Sequence, residues 1–364
     1  MDPSELADWV GLRLVPGVGA VTFHRLVEAL GSPSAALGAD RRRLQALSGV
    51  GPSLAAAVSQ RRWARDPQEE LARLERLGGR AVTVRDPEYP PLLKEIIHPP
   101  PVIFVRGDLA GCRDGGVAVV GSRKFSPYGR RKAEELGRAL GKARVSAISG
   151  LARGVDTAVH SAALAAGGHT VGVMGCGLDV AYPPENAELM QRVAAEGALV
   201  SEHPLGTAPS AGNFPGRNRI ISGMSRAVVV VEAGLRSGAL ITARHGADQG
   251  REVLAMPGPV DSPTSQGCHA LIETGARLYR GPDDVLGRGV LPPLGPGRAE
   301  PVAPPPDLPE EAARLLALVG AEPVHIDVLV RESGLKSQEV SALLINLEMA
   351  GLVSQQAGNH YVRD

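Results

Sequence analysis

The chain has 364 residues, 43% of them hydrophobic, with 39 basic and 39 acidic side chains. That length implies two or three domains with sizeable cores, and the formal net charge of zero excludes nucleic-acid attachment driven by global electrostatics, so any anion site has to be a local patch. Three cysteines without CxxC spacing exclude a disulfide scaffold or a zinc site and fit a reducing cytoplasm; no leader-like segment and no apolar run of about 18 residues appears, so no metal and no membrane partner is expected.

Residues 1–80 read as all helical and contain an internal echo. Val15-Pro16-Gly17-Val18-Gly19 precedes an amphipathic stretch with Phe23, Leu26, Val27 and Leu30, and Leu47-Ser48-Gly49-Val50-Gly51 precedes another with Leu54 and Val58. Two hydrophobic–x–Gly–x–Gly turns, each leading into a helix, have the pattern of paired helix–hairpin–helix (SAM-like) elements. In such elements glycine lets backbone amides approach a phosphate. Caps in a small interaction bundle would give the same pattern, and 11 basic against 9 acidic residues leaves both readings open.

From residue 81 the pattern changes. Residues 81–84 and 102–107 read as strands, and repeated strand–helix units follow. Strands are expected at 117–121, 145–149, 170–174, 198–202, 227–232 and 252–256, and helices at 127–141, 154–167, 184–196, 215–224, 238–250 and 267–274. This alternation predicts an α/β fold over residues 81–287, a doubly wound, Rossmann-like parallel sheet with its ligand at the carboxyl ends of the strands. GxGxxG follows none of these strands, and no acid stands at the ribose position, so no dinucleotide cofactor is expected.

The stretch Val117–Gly129, VAVVGSRKFSPYG, combines a buried strand, a Gly turn and a helix start with Pro127 in its first turn. That geometry aims free N–H groups and the positive end of a helix at an anion. Gly121, Ser122, Arg123, Ser126, Tyr128 and Gly129 are its candidate contacts. Later strand ends add Gly150, Arg153 and Gly154, then Phe214, Arg217, Asn218 and Arg219. Only five of the basic residues are lysines, and none lies between 143 and 335, so a phosphate clamp there has to be arginine and backbone. Four of the eleven aromatics (Phe125, Tyr128, Tyr182, Phe214) fall in these loops, as in a groove for single-stranded nucleic acid where bases stack on rings. They would equally anchor the loops. Asp156 and His160, four apart on one helical face, are either an acid/base pair or a helix cap and its support.

Residues 288–307 are dense in proline and read as a semi-rigid linker. Residues 308–364 then show helix–turn–helix spacing with a turn at Gly334 and a tail strand at 360–362, a winged-helix pattern. Four basic residues against eight acids there argue against duplex binding and favour a protein-interaction role.

The motifs GSRxxSxYG (121–129), SGLARGVDxxxH (149–160), GCGLDVxYPPEN (175–186), FPxRNRIISGxS (214–225) and EAGxxSGxLITAR (232–244) resemble, in order and spacing, those of the DNA-processing protein A (DprA/Smf) family. The resemblance spans about residues 5–285. It implies an extended Rossmann domain that binds single-stranded DNA without sequence preference, protects incoming DNA in natural transformation and loads the recombinase RecA. It also implies a homodimer without established catalysis, working in the cytoplasm beside single-strand-binding protein. It maps a phosphate pocket onto Gly121, Ser122, Arg123 and Tyr128, onto 150–154, and onto 214–219. The loop Pro204–Asn213 carries no charged or aromatic residue. A second class on the same sheet is a nucleoside monophosphate phosphoribohydrolase, which uses a PGGxGTxxE-like turn. Here residues 233–240 lack both the Gly pair and the Glu, and Glu232 and Asp156 are the nearby carboxylates.

Overall fold

The computed structural model describes residues 2–287, 308–320, 324–350, 352–356 and 358–363; the linker expected at 288–307 lies outside them. The described residues fall into two compact units, one before that stretch and one after it.

Six helices open the first unit: α1 (Pro3–Leu14), α2 (Ala20–Leu30), α3 (Pro33–Gly38), α4 (Arg41–Gln45), α5 (Pro52–Ser59) and α6 (Pro67–Arg76). The sequence echo is a structural repeat. Val18 N–H donates to Val15 O at 3.0 Å, as Val50 N–H does to Leu47 O at 3.1 Å, and Gly19 and Gly51 cap α2 and α5. The halves interlock: Gly17 lies against Leu54, and Gly49 lies under the guanidinium of Arg25, which donates to Ser48 O at 2.8 Å.

The rest of the unit is β1 (Gly79–Thr83), α7 (Pro91–Lys94), β2 (Val102–Gly107), β3 (Gly116–Val120), α8 (Pro127–Lys142), β4 (Ala147–Ser149), α9 (Val155–Ala165), β5 (Thr170–Met174), α10 (Ala187–Glu196), β6 (Ala198–Ser201), α11 (Asn213–Gly223), β7 (Ser225–Val230), α12 (Gly238–Asp248), β8 (Glu252–Ala255), α13 (Gln266–Glu273), β9 (Arg277–Leu278) and α14 (Asp283–Leu286). Nine strands form one sheet in the order β1-β2-β6-β5-β4-β3-β7-β8-β9. The seven from β6 to β9 run parallel, and β2 and β1 extend that edge antiparallel. Side chains alternate across the central strands, as a strand's period of two requires. Val117 and Val119 pack with Leu136 and Val159 on one face, while Ala118 and Val120 pack with Ile220 and Ala243 on the other. Burial on both faces explains why β3 reads as an unbroken apolar run. β9 escapes a periodicity reading because it has two residues.

The helical segment is fastened to the sheet near β6. Glu70, fully buried, accepts from Leu205 N–H at 2.6 Å and from Arg65 Nη1 at 2.8 Å. Arg65 in turn donates to Leu205 O at 3.1 Å, and Arg13 donates to Glu202 O at 3.3 Å. Leu205 is therefore held through both its amide and its carbonyl.

The second unit is a winged helix: α15 (Glu310–Leu318), β10 (Val324–His325), α16 (Ile326–Ser333), α17 (Ser337–Met349), β11 (Val353–Gln356) and β12 (His360–Arg363), with sheet order β10-β12-β11. Gly334 ends α16 at φ 69°, a left-handed conformation that glycine adopts without strain. The tail strand expected at 360–362 is the central one. Its partner β11 reads SerGlnGln after Val353, too polar to stand out from sequence.

Candidate nucleic-acid interface

The strand order reverses between β3 and β7, so the loops after these two strands part and leave a crevice at their carboxyl ends. A cleft of about 820 Å³ opens there. The turn after β3 supplies Gly121, Ser122, Arg123 and Lys124 to it, α11 supplies Phe214, Arg217 and Asn218, and the start of α12 supplies Arg236, Ser237 and Gly238.

Phe214 is the hub of the cleft. The guanidinium carbons of Arg123 and Arg217 each stand 5.7 Å from its ring centroid, and the Tyr182 ring tilts against it at 5.6 Å. The two arginines differ in kind. Arg123 is exposed, lines the cleft and has no carboxylate partner among the described residues. Arg217 is 5% exposed and is part of the floor. Its Nη1 donates to the carbonyls of Gly150 (2.8 Å) and Val173, and its Nε donates to Asn218 Oδ1 at 3.2 Å. Burial pushes the Arg217 pKa down to about 10, against the opposing pull of Asp156. Asn218 spends its amide on Gly238 O at 3.3 Å. Gly150 lacks the Cβ that would strike the Arg217 guanidinium, and Gly154, at φ 79°, lets the turn before α9 pass the Ser122 carbonyl. Gly121 is pressed in the same way against Val155.

Asp156 and His160 are not an acid/base pair. The Asp156 carboxylate accepts from Gly150 N–H at 3.1 Å and Ala152 N–H at 3.2 Å, and so fastens the preceding turn rather than the end of its own helix. Burial raises its pKa, with Arg217 opposing. His160 shares Nδ1 with Thr170 Oγ1 at 2.7 Å, and burial holds it neutral, its pKa down to about 3.

Several expected contacts have other partners. The anion at the amino end of α8 is the protein's own Glu232, whose carboxylate accepts from Ser126 N–H at 2.9 Å and from the Ser126 hydroxyl. Gly129 packs against that carboxylate. Ser122 folds its hydroxyl onto Lys124 O at 2.6 Å. Tyr128 donates to Pro257 O at 3.0 Å and takes Arg131 over its ring, outside the cleft. Arg153 is paired with Glu185 and, with Gly154, lines a neighbouring hollow. Arg219 points along the other side of α11, paired with Glu202 and donating to His98 O at 3.2 Å. For Ser126, Arg153 and Arg219 the partner is a carboxylate remote in sequence, which a motif cannot reveal.

Conversely, Lys124, Arg236 and the amino end of α12 were not singled out from sequence. The signal was a serine before a predicted helix start: Ser237 is the N-cap of α12, accepting from Ala239 N–H at 3.3 Å. With the α8 end occupied, the amino end of α12 still opens on the cleft, flanked by the exposed Arg236 and Lys124.

The family model for DNA recombination-mediator protein A matches residues 80–288, and that for the DprA winged helix domain matches residues 299–359. Protein Smf of Synechocystis is 35% identical over the whole of both chains. The solved structure of DNA processing protein A from Streptococcus pneumoniae superposes with a TM-score of 0.68 at 34% identity, covering 77% of this chain and 96% of that one. A Helicobacter pylori DNA processing protein A structure, described for its single-stranded DNA binding mode, gives 0.52 at 27% identity, covering 57% and 94%.

Proposed function

Because the chain belongs to the DNA recombination-mediator protein A family, we propose that it binds single-stranded DNA without sequence preference in the cleft between β3 and β7. It protects incoming or processed strands and passes them to the recombinase RecA in transformation or recombination. The observation that carries this reading is one ring, Phe214, flanked by an exposed Arg123 that has no carboxylate partner among the described residues, and facing the amino end of α12. A base stacks on the ring whatever its identity, and phosphates meet arginine and backbone amides. The proposed role includes a homodimer and exchange with single-strand-binding protein, both resting on the resemblance. The proposed site of action is the cytoplasm, again on the resemblance; no helix among the described residues is long and apolar enough to cross a membrane. The role includes no catalytic step: Glu232 and Asp156, the carboxylates a nucleotide hydrolase would use, are both spent on Ser126 and on backbone amides.

Fluorescence anisotropy with a labelled oligothymidine and a matched duplex tests the reading. The single strand should bind more tightly. If four to six phosphates are engaged, its log–log salt slope should be about −3 to −4, at about −0.7 per phosphate. Equal or tighter binding of the duplex would contradict the proposal. Removing residues 308–364, with their excess of acids, should leave most single-strand affinity intact; a collapse of affinity would assign the winged helix a direct contact.

A further inference from the structure

The amino end of α8 has the build of a phosphate site, yet it is closed. It follows a parallel strand and a Gly turn, and α8 runs for 16 residues. Pro127 has no N–H to offer, and the Gly129 N–H donates to the N-cap Ser126 Oγ at 3.1 Å; the N-cap's own donors, Ser126 N–H and the Ser126 hydroxyl, both point at the Glu232 carboxylate. That carboxylate arrives from the end of β7, 106 residues away in the chain, and is 4% exposed. The Glu232 carbonyl also accepts from Ser122 N–H at 2.7 Å, so one residue takes a turn amide as well as both donors of the N-cap. A Cβ at Gly129 would stand 2.5 Å from the carboxyl group, so the first turn of α8 has room for the carboxylate only because residue 129 is glycine. A planar carboxylate with two acceptor oxygens, held by charge-assisted hydrogen bonds at a helix start, stands in for two oxygens of a phosphate.

We infer that Glu232 is a specificity-determining residue: its carboxylate fills the anion site of α8 and keeps phosphomonoesters out of a fold otherwise shaped to take them. Two effects act together. The donors are occupied, and the fixed negative charge repels a dianion approaching the same amides. The neighbouring cleft is thereby left to singly charged phosphodiesters, a consequence that rests on the single-stranded DNA reading. The exclusion itself rests on the geometry of Glu232, Ser126 and Gly129 alone.

The test uses the full chain as wild type, Glu232→Ala and Glu232→Gln, with inorganic phosphate as the probe and thermal unfolding and titration calorimetry as readouts. Glu232→Ala empties the site and should lose stability, which phosphate then restores as its concentration rises, since a ligand bound only by the folded state stabilises it. Its affinity for phosphate should exceed that of the wild type by about ten-fold or more, the order of one charge-assisted hydrogen bond. Wild type supplies the control for the general stabilising effect of phosphate as a salt. Equal responses of wild type and Glu232→Ala overturn the inference. Should Glu232→Ala not fold, Glu232→Gln decides: it removes the charge and offers one acceptor oxygen to the two Ser126 donors, so one donor is freed, and a phosphate response above wild type supports the exclusion while an equal response overturns it. No DNA enters the experiment, so its failure is distinguishable from failure of the DNA-binding reading.

Discussion

Replacing Arg123 with alanine should weaken binding of single-stranded DNA about ten- to a hundred-fold while leaving the unfolding transition where it is. A charge-assisted hydrogen bond to a phosphate is worth about 1.5–3 kcal/mol, and each 1.4 kcal/mol is a factor of ten. Arg123 is the residue for this test because it is exposed and, among the described residues, its guanidinium forms no ion pair and rests on the face of Phe214. The loss should be similar for oligothymidine and mixed sequences, since phosphate contacts carry no sequence information. The magnitude of the log–log salt slope should also fall by about 0.7, the contribution of one phosphate on a single strand. Anisotropy titrations at three salt concentrations measure both effects; an unchanged slope with unchanged affinity would remove Arg123 from the interface.

Arg217→Met should act through the fold instead. Its guanidinium satisfies the buried carbonyls of Gly150 and Val173 and the Asn218 side chain, and it opposes the buried charge of Asp156. Methionine fills much of the volume and satisfies none of these groups. Unsatisfied buried acceptors cost about 1–3 kcal/mol each, so a loss of about 3 kcal/mol or more in unfolding free energy is expected, read by urea denaturation. The deficit should depend on pH. Asp156 has a raised pKa in the folded state, so the folded chain holds its proton longer than the unfolded one, and stability falls as pH climbs through the window above the ordinary aspartate value. Without Arg217 that penalty grows, so the gap between variant and wild type should narrow in acid, where Asp156 is protonated in both states. A gap that stayed constant with pH would mean that Asp156 does not sense the Arg217 charge.

Sequence patterns are most informative where structure is local. Val117–Gly121 reads as a buried strand because five small apolar residues in a row suit a strand covered on both faces, and the Gly turns of the helical segment repeat because their hydrogen bonds are local. The cleft was legible at Arg123, on the turn after β3, and at Phe214 and Arg217, in the first turns of α11. What the pattern could not convey is which donors are already spent. Ser126 meets Glu232, Arg153 meets Glu185 and Arg219 meets Glu202 only after the sheet has brought their loops together. A motif shows that a cation or a hydroxyl is present and says nothing about whether a distant carboxylate has claimed it.

The double hold on Leu205 has a mechanical consequence for the cleft. The loop that runs on from it contributes Pro209 and Ala211 to one side of the opening, and α11 begins where it ends. Its near end is moored to Glu70 and Arg65 of the N-terminal segment, so that side of the opening is anchored outside the sheet. On the proposed reading, a strand threading past Phe214 would work against a wall whose footing lies in another part of the unit, and a chain shorn of those helices would grip it with one side slack.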